Sequence, residues 1–390
     1  MPIQARREYL AIVWARYQEA RTRAEKGSLL DEIVKNTGLH RDHAGRLMRA
    51  KEKPVRKAVS RKKGSRYADL LPHLSKLWRA MGRVGGRKMR AAMLDWLPFY
   101  EADVPTKQRL YNISASGIDR LLKPVRAHWR RTNNTGTRAA KNRFKSEVPI
   151  RPLGGVFSVV GFIEIDTVAH CGDTLAGNFF WTLTAVEMKT RWTEIRPVWR
   201  KEKLGIRLAL DDMESKFPFR LKGIFCDCGS EFLNSEVVEK FVKDQRRPVP
   251  LEMGRSRPYH KNDQAFVEQK NNTHVRHLMG YGRFGRQNME GKLQALFEDW
   301  CELQNFFVPQ ISLVSKIRVQ SKIKRRYSEP MTPFDRILAD PDVSLSVKAG
   351  LIEKKITLNP FVLRERVKRR LQEIHFIQGI AANLQGRAAS

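Results

Sequence analysis

The chain has 390 residues, 41% of them hydrophobic, with 74 Lys and Arg against 41 Asp and Glu and a formal net charge of +33. That length predicts two to four domains with real cores, and that charge favours a phosphate-backbone partner through Coulomb attraction and counterion release. The four cysteines begin at Cys171, which excludes a disulfide scaffold and an N-terminal zinc finger. No apolar run reaches membrane-spanning length and no signal-peptide pattern opens the chain, so we expect a cytoplasmic, nucleoid-associated protein without membrane contact.

The basic charge is concentrated at the start: residues 1–150 hold 35 Lys and Arg against 13 Asp and Glu, and residues 151–390 hold 39 against 28. This first part reads as helical. Leu30, Ile33 and Val34 share one face of a short helix, Gly38 follows, and a second helix from His40 to Arg49 turns Ala44, Leu47 and Met48 inward. A glycine able to take positive φ between two such helices is the helix-turn-helix pattern, and it aims Arg41, His43, Arg46 and Arg49 at a major groove. An ordinary helical hairpin would have the same apolar spacing. Residues 105–124 repeat the pattern more weakly: Asn112 is expected at the turn, Ile118 and Leu121 inward, and Ser114, Ser116 and Arg120 toward DNA. The resulting division is a helix-turn-helix domain at 1–52, a basic linker at 53–66 and a second helical DNA-binding domain at 67–130. A linker at 131–152, a core at 153–310 and a basic, mostly helical region at 311–390 complete it.

Beyond residue 156 the pattern becomes that of strands. Val156–Val168, Asn178–Glu187 and Arg191–Trp199 are rich in β-branched and aromatic residues and predict three successive antiparallel strands. A helix at Lys201–Lys216 follows, with Leu204, Leu208 and Met213 inward. Next come a strand at Leu221–Cys226, a helix at Glu236–Lys243, a brief strand at Pro248–Leu251 and a long helix at Asp263–Met279. That order predicts an α/β, ribonuclease H-like core with a mixed five-stranded sheet and flanking helices. After Glu290 the stripe Leu293, Leu296, Phe297, Trp300 and Cys301 is core, and Lys316–Arg326 is one more basic stretch.

Three carboxylates stand at the edges of these elements. Asp166 lies in Gly-Phe-Ile-Glu-Ile-Asp-Thr-Val, Asp227 in Phe-Cys-Asp-Cys-Gly-Ser-Glu-Phe, and Glu268 in Asn-Asp-Gln-Ala-Phe-Val-Glu-Gln-Lys-Asn. Singly, an Asp at a strand end is usually a turn residue and a helical Glu usually solvated. Together they offer hard oxygen ligands suited to Mg²⁺, with Glu164 on the same strand face as the nearest rival. Two ions roughly 3.5–4 Å apart would serve phosphodiester displacement. A zinc set from Cys226, Cys228, His274 and His277 is disfavoured by the poor spacing of two cysteines that straddle Asp227.

These contexts resemble the integrase catalytic core superfamily, in particular bacterial insertion-sequence transposases with an Asp-Asp-Glu active site. The match runs from about residue 150 to 370. It includes Ser256-Arg257-Pro258-Tyr259-His260-Lys261-Asn262-Asp263-Gln264, Leu313-Val314-Ser315-Lys316, Thr332-Pro333-Phe334 and Leu358-Asn359-Pro360-Phe361. The resemblance implies that Asp166, Asp227 and Glu268 hold two Mg²⁺ ions, replaceable by Mn²⁺. It also places a mobile loop at Ser256–Lys261 and puts Lys261, Lys270, Asn271, Asn272 and Arg276 near DNA. The implied activity is a transposase that binds terminal inverted repeats as a dimer or tetramer, exposes 3′-OH ends and joins them to target DNA. The alternatives are an inactive DNA-binding regulator of the same origin and a plain nuclease. Two positions depart from the family pattern: Cys228 stands where Asn is usual, and Asn272 where Trp is frequent.

Overall fold

A computed structural model describes residues 3–50, 67–127, 159–227, 232, 234–243, 250–256, 264–319 and 322–379. The expected linkers at 53–66 and 131–152, together with Lys261 and Cys228, lie outside the described residues. Two compact units divide the chain, Met1–Arg66 and Tyr67–Ser390.

The first unit is three helices, α1 (Ile3–Glu19), α2 (Arg23–Thr37) and α3 (Arg41–Met48). Helix α2 opens on a capping box in which Thr22 and Glu25 satisfy each other's backbone N–H groups, and it closes on Gly38 at φ 68°. The small core of Leu10, Val13, Tyr17, Leu29, Ile33, Ala44 and Met48 joins all three helices.

The second unit begins with α4 (Leu71–Ala80), α5 (Gly86–Trp96), α6 (Val104–Asn112) and α7 (Ala115–Ala127). Asp103 caps α6 through the Thr106 N–H. The α6–α7 turn differs from expectation. Asn112 ends α6 and Ile113 makes the turn with extended backbone, φ −68° and ψ 134°, because its fully buried side chain plugs the core. These helices share one hydrophobic core with the rest of the unit, and the Trp96 indole N–H donates to the Phe307 carbonyl at 2.9 Å.

A mixed sheet follows, built from β1 (Phe162–Ala169), β2 (Phe180–Glu187), β3 (Thr193–Trp199), β4 (Gly223–Cys226) and β5 (Glu252–Arg255). Its order is β3-β2-β1-β4-β5; the first three strands are antiparallel neighbours, and β4 and β5 run parallel to β1. The sheet and its flanking helices make the unit α/β. Strand β5 lies four residues beyond its expected place, since its register with β4 pairs Gly223 with Glu252.

Helix α8 (Lys203–Lys216) packs on the sheet face of Arg196, which pairs with Asp212. Its buried residues are Ile206, Leu210 and Met213, whereas Leu204 and Leu208 are half exposed. Met213 is inward as expected, but Ile206 and Leu210 take the places expected of Leu204 and Leu208, because Gly205 closes on Val198.

Helix α9 (Ser235–Val238) continues as a π turn to Lys243. On the opposite sheet face runs one continuous helix, α10 (Ala265–Lys270), a π-helical stretch Asn271–Arg276 and α11 (His277–Met279). Helix α12 (Glu290–Phe307) buries the predicted stripe of Leu293, Leu296, Phe297, Trp300 and Cys301.

The C-terminal region is not wholly helical. Strands β6 (Leu313–Val319) and β7 (Lys322–Tyr327) form a separate antiparallel ribbon, where Ile317 and Ile323 alternate with Lys and Arg along their strands. Helices α13 (Pro333–Ala339), α14 (Leu345–Thr357) and α15 (Pro360–Ile377) end the described chain, with Thr332, Ser344 and Asn359 as N-caps. Among the described residues no helix is long and apolar enough to cross a membrane.

Candidate active site

Strand β1 carries Glu164 and Asp166 on one face, since alternate residues of a strand point the same way. Its parallel register with β4 sets Phe162 opposite Gly223, Ile163 opposite Ile224 and Glu164 opposite Phe225. The offset is 61 residues in every pair, and Asp227 stands 61 residues beyond Asp166. The pairing ends at Glu164 opposite Phe225; the same offset continued by two positions would set Asp227, directly after the last residue of β4, against Asp166.

Helix α10 crosses this face and is fastened to it by both β1 acids. The Phe266 and Val267 N–H groups donate to Glu164 Oε2 at 3.1 and 3.0 Å, so the carboxyl binds the exposed amides of the helix start. Glu268 is the next residue and is solvent-exposed. One turn further, Asn271 Nδ2 donates to Asp166 Oδ2 at 2.7 Å, and the Thr167 N–H donates to Asp166 Oδ1 at 2.7 Å.

Glu164 is fully buried, and burial pushes its carboxyl up to about 7. The Val267 N–H, the Arg191 charge and the Phe266 N–H oppose that rise, and the Glu268 charge adds to it. Glu164 Oε1 has no hydrogen-bond partner among the described residues. Arg191 sits at φ 70° in the β2–β3 turn. Its guanidinium lies 3.6 Å from the Phe266 ring centroid, its Nε donates to Ser312 Oγ at 3.2 Å, and burial lowers it to about 10.

Two residues expected along DNA are interior instead. Lys270 is 2% exposed, its Nζ stands 3.2 Å from His274 Nε2, and burial followed by the Lys88 charge holds it well below the ordinary lysine range. Asn271 is 8% exposed. The physical reason is helical phase: Val267, Lys270, Asn271, His274, Val275 and Leu278 form the stripe that faces the sheet and α12. Arg276 donates to the Ala169 carbonyl at 2.9 Å and covers the Tyr281 ring, which leaves Asn272 exposed. His274 is buried against Trp300, whose indole N–H donates to its carbonyl at 2.9 Å, and its ring nitrogen Nε2 stands against Lys270 Nζ.

In the first unit Arg41, His43 and Arg46 on α3 and Arg49 at its C-cap are exposed, and Ala44, Gly45 and Met48 are buried. Arg41 pairs with Asp31, and Arg49 Nε donates to the Gly45 carbonyl at 3.0 Å. In the second unit Ser114, Ser116 and Arg120 are exposed, and Ser114 Oγ caps α7 by accepting from the Gly117 N–H at 3.1 Å.

The donor set of Asp166, Asp227 and Glu268 is all carboxylate oxygen, the chemistry a hard divalent cation requires. Asp166 lies on β1, Asp227 directly follows β4, and Glu268 follows the two α10 residues that bind Glu164. Among the described residues, however, no group of three or more His, Cys, Asp or Glu side chains stands close enough to share an ion. The roles of Asn271 toward Asp166 and of Arg191 toward Phe266 were missed from sequence. The first had a signal in the spacing of 271 from 267; the second, a contact across the sheet, had none.

No protein-family model matches the chain. It is similar to uncharacterized protein y4rM of Sinorhizobium fredii (strain NBRC 101917 / NGR234), at 35% identity over 341 residues that span 85% of this chain and 94% of that protein. The chain belongs to the y4rM family. A match covering 85% of 390 residues necessarily runs through the interval from Asp166 to Glu268.

Proposed function

We propose that the protein is a DNA transposase of the Asp-Asp-Glu type, a polynucleotidyl transferase on a ribonuclease H-like core. The observation that carries this reading is the common offset of 61 between β1 and β4, under a helix that attaches to β1 one residue before Glu268. Support comes from the sheet, in which an antiparallel meander is continued by parallel strands as in that fold. The helix pairs α2–α3 and α6–α7 are read as helix-turn-helix units for terminal inverted repeats, and the net charge of +33 suits duplex DNA.

Asp166, Asp227 and Glu268 would hold Mg²⁺ or Mn²⁺. Bound there, the metal pair supplies an activated attacking oxygen and a stabilised leaving oxygen for in-line displacement at phosphorus. The chain's own contribution is position. Asn271 and the Thr167 N–H fix the Asp166 carboxylate through separate oxygens, and Glu164 ties the helix start so that Glu268 follows at a set height above β1. Water hydrolyses one phosphodiester at each element end to leave a 3′-OH, and that hydroxyl attacks target DNA in a direct transesterification by a homo-oligomer that pairs two ends.

The test is a nicking and strand-joining assay on linear DNA carrying the repeats that flank the gene, with Mg²⁺ or Mn²⁺. Cleavage and joining that Asp227→Asn abolishes support the reading. Duplex binding without either product, unchanged by Asp227→Asn, would replace it with a DNA-binding regulator. Cleavage without joining would replace it with a nuclease.

A further inference from the structure

We propose that the β6–β7 ribbon is an arm that grips duplex DNA leading into the candidate active site. Six of its thirteen strand residues are Lys or Arg and none is Asp or Glu. The cross-strand register sets Ile317 opposite Lys324 and, one pair further, Arg318 opposite Ile323. Adjacent pairs point to opposite faces, so both faces are basic. Crowded like charges strain a ribbon, and an isolated two-stranded hairpin is marginal in water. A polyanion relieves both problems.

Neither face is packed away. Val314, Ile317 and Ile323 are 61%, 59% and 47% exposed, and Lys324, Arg325 and Arg326 are exposed. Ile317 and Ile323 lie on opposite faces, so the ribbon lacks the single apolar side that a lipid surface requires. A two-stranded ribbon does fit the major groove of B-DNA, about 12 Å wide, and strands of this length reach about 23 Å along it.

The root of the ribbon points to where that DNA goes. The Ser328 N–H donates to the Ser312 carbonyl at 2.8 Å, and Ser312 Oγ accepts from Arg191 Nε. Arg191 covers Phe266, whose N–H binds Glu164 two residues before Glu268. A duplex held along the ribbon therefore starts within two side-chain contacts of the helix that bears Glu268. The choice of duplex DNA as the polyanion rests on the proposed function; the surface itself does not.

The experiment measures binding of the full chain to a fluorescent DNA duplex in EDTA across a salt series. The Lys324→Ala, Arg325→Ala, Arg326→Ala triple variant is compared with an equal charge loss elsewhere, Lys292→Ala, Lys368→Ala, Arg369→Ala. The ribbon variant is expected to flatten the slope of log K against log salt by about 2.7, at roughly 0.9 per phosphate contact, and to bind roughly tenfold more weakly or worse. The control variant keeps the wild-type slope. An unchanged slope in the ribbon variant overturns the proposal, as does an equal change in the control. So does tighter wild-type binding to single-stranded RNA that the ribbon variant loses. If the ribbon variant loses binding while the wild type neither nicks nor joins DNA, the arm stands and the transposase reading falls. If the wild type joins DNA and the slope does not move, the reverse holds.

Discussion

Replacing Glu164 by Gln isolates the physics beneath the candidate site. The carboxyl is fully buried, accepts two backbone N–H groups on one oxygen and titrates at about 7 instead of its ordinary 4.5. Glutamine keeps the shape and one acceptor oxygen but cannot ionise. For an acid whose folded pKa is raised, the stabilisation is fully present below 4.5 and is lost as pH climbs through 7, because the unfolded chain gives up its proton first. At about 1.36 kcal/mol per unit, the difference in stability between Gln and Glu should move by about 2–3 kcal/mol in favour of Gln from pH 5 to pH 8. Guanidinium unfolding of both proteins at the two pH values, with EDTA present, measures it directly. Two parallel pH profiles would refute the reasoning by showing that burial does not hold the proton on Glu164. A shift in favour of Glu would mean that Arg191 and the helix amides outweigh burial.

Asn271→Ala removes the 2.7 Å bond to Asp166 Oδ2 and should lower metal-dependent nicking about 10–100-fold while the unfolding midpoint changes little; Mn²⁺ titration of the nicking rate checks it. Gly223→Ala would put a Cβ 2.7 Å from Phe162 Cδ1 and 2.9 Å from the Glu252 carbonyl, costing about 1–3 kcal/mol in denaturant unfolding; an unchanged midpoint would show that the β1–β4 pairing has slack. Burial lowers His170 from 6.5 to about 3, so its contribution is present above pH 6.5 and is lost as pH falls toward 3. Thermal melts should therefore show wild type losing about 1.4 kcal/mol per pH unit in that window relative to His170→Gln, which cannot titrate.

Much of this arrangement could be read from residue types. The β-branched strands, the α12 stripe and Gly38 at a helix junction are local signals, and the structure has each of them where local physics puts it. Phase was harder. Leu204 and Leu208 carry a helical spacing as regular as that of Ile206 and Leu210, and only the approach of Gly205 to Val198 decides between the two. Lys270 and Asn271 misled for the opposite reason. The family resemblance implied a place along DNA, whereas their positions four or fewer residues from Val267 put them inside, where His274 and Asp166 receive them. In the ribbon, charge density concealed a strand period, and the basic stretch fell within a region expected to be mostly helical. The contacts of Arg191 with Phe266 and Ser312 span the fold and leave no trace in local sequence.

The π-helical stretch Asn271–Arg276 amounts to a spare residue in the helix that bears Glu268. Upstream of it the helix is fixed to Glu164 at Phe266 and Val267; downstream it is fixed by the Arg276 bond to Ala169 and by buried Leu278. An α turn uses 3.6 residues, so trimming the stretch to ordinary pitch would rotate one fixing against the other by about 100°. Chain length between the two fixings thus acts as a tuning dimension in its own right. Homologous helices that differ there by one residue would keep Glu268 in place through the upstream fixing and present different side chains in the places of Arg276 and Leu278.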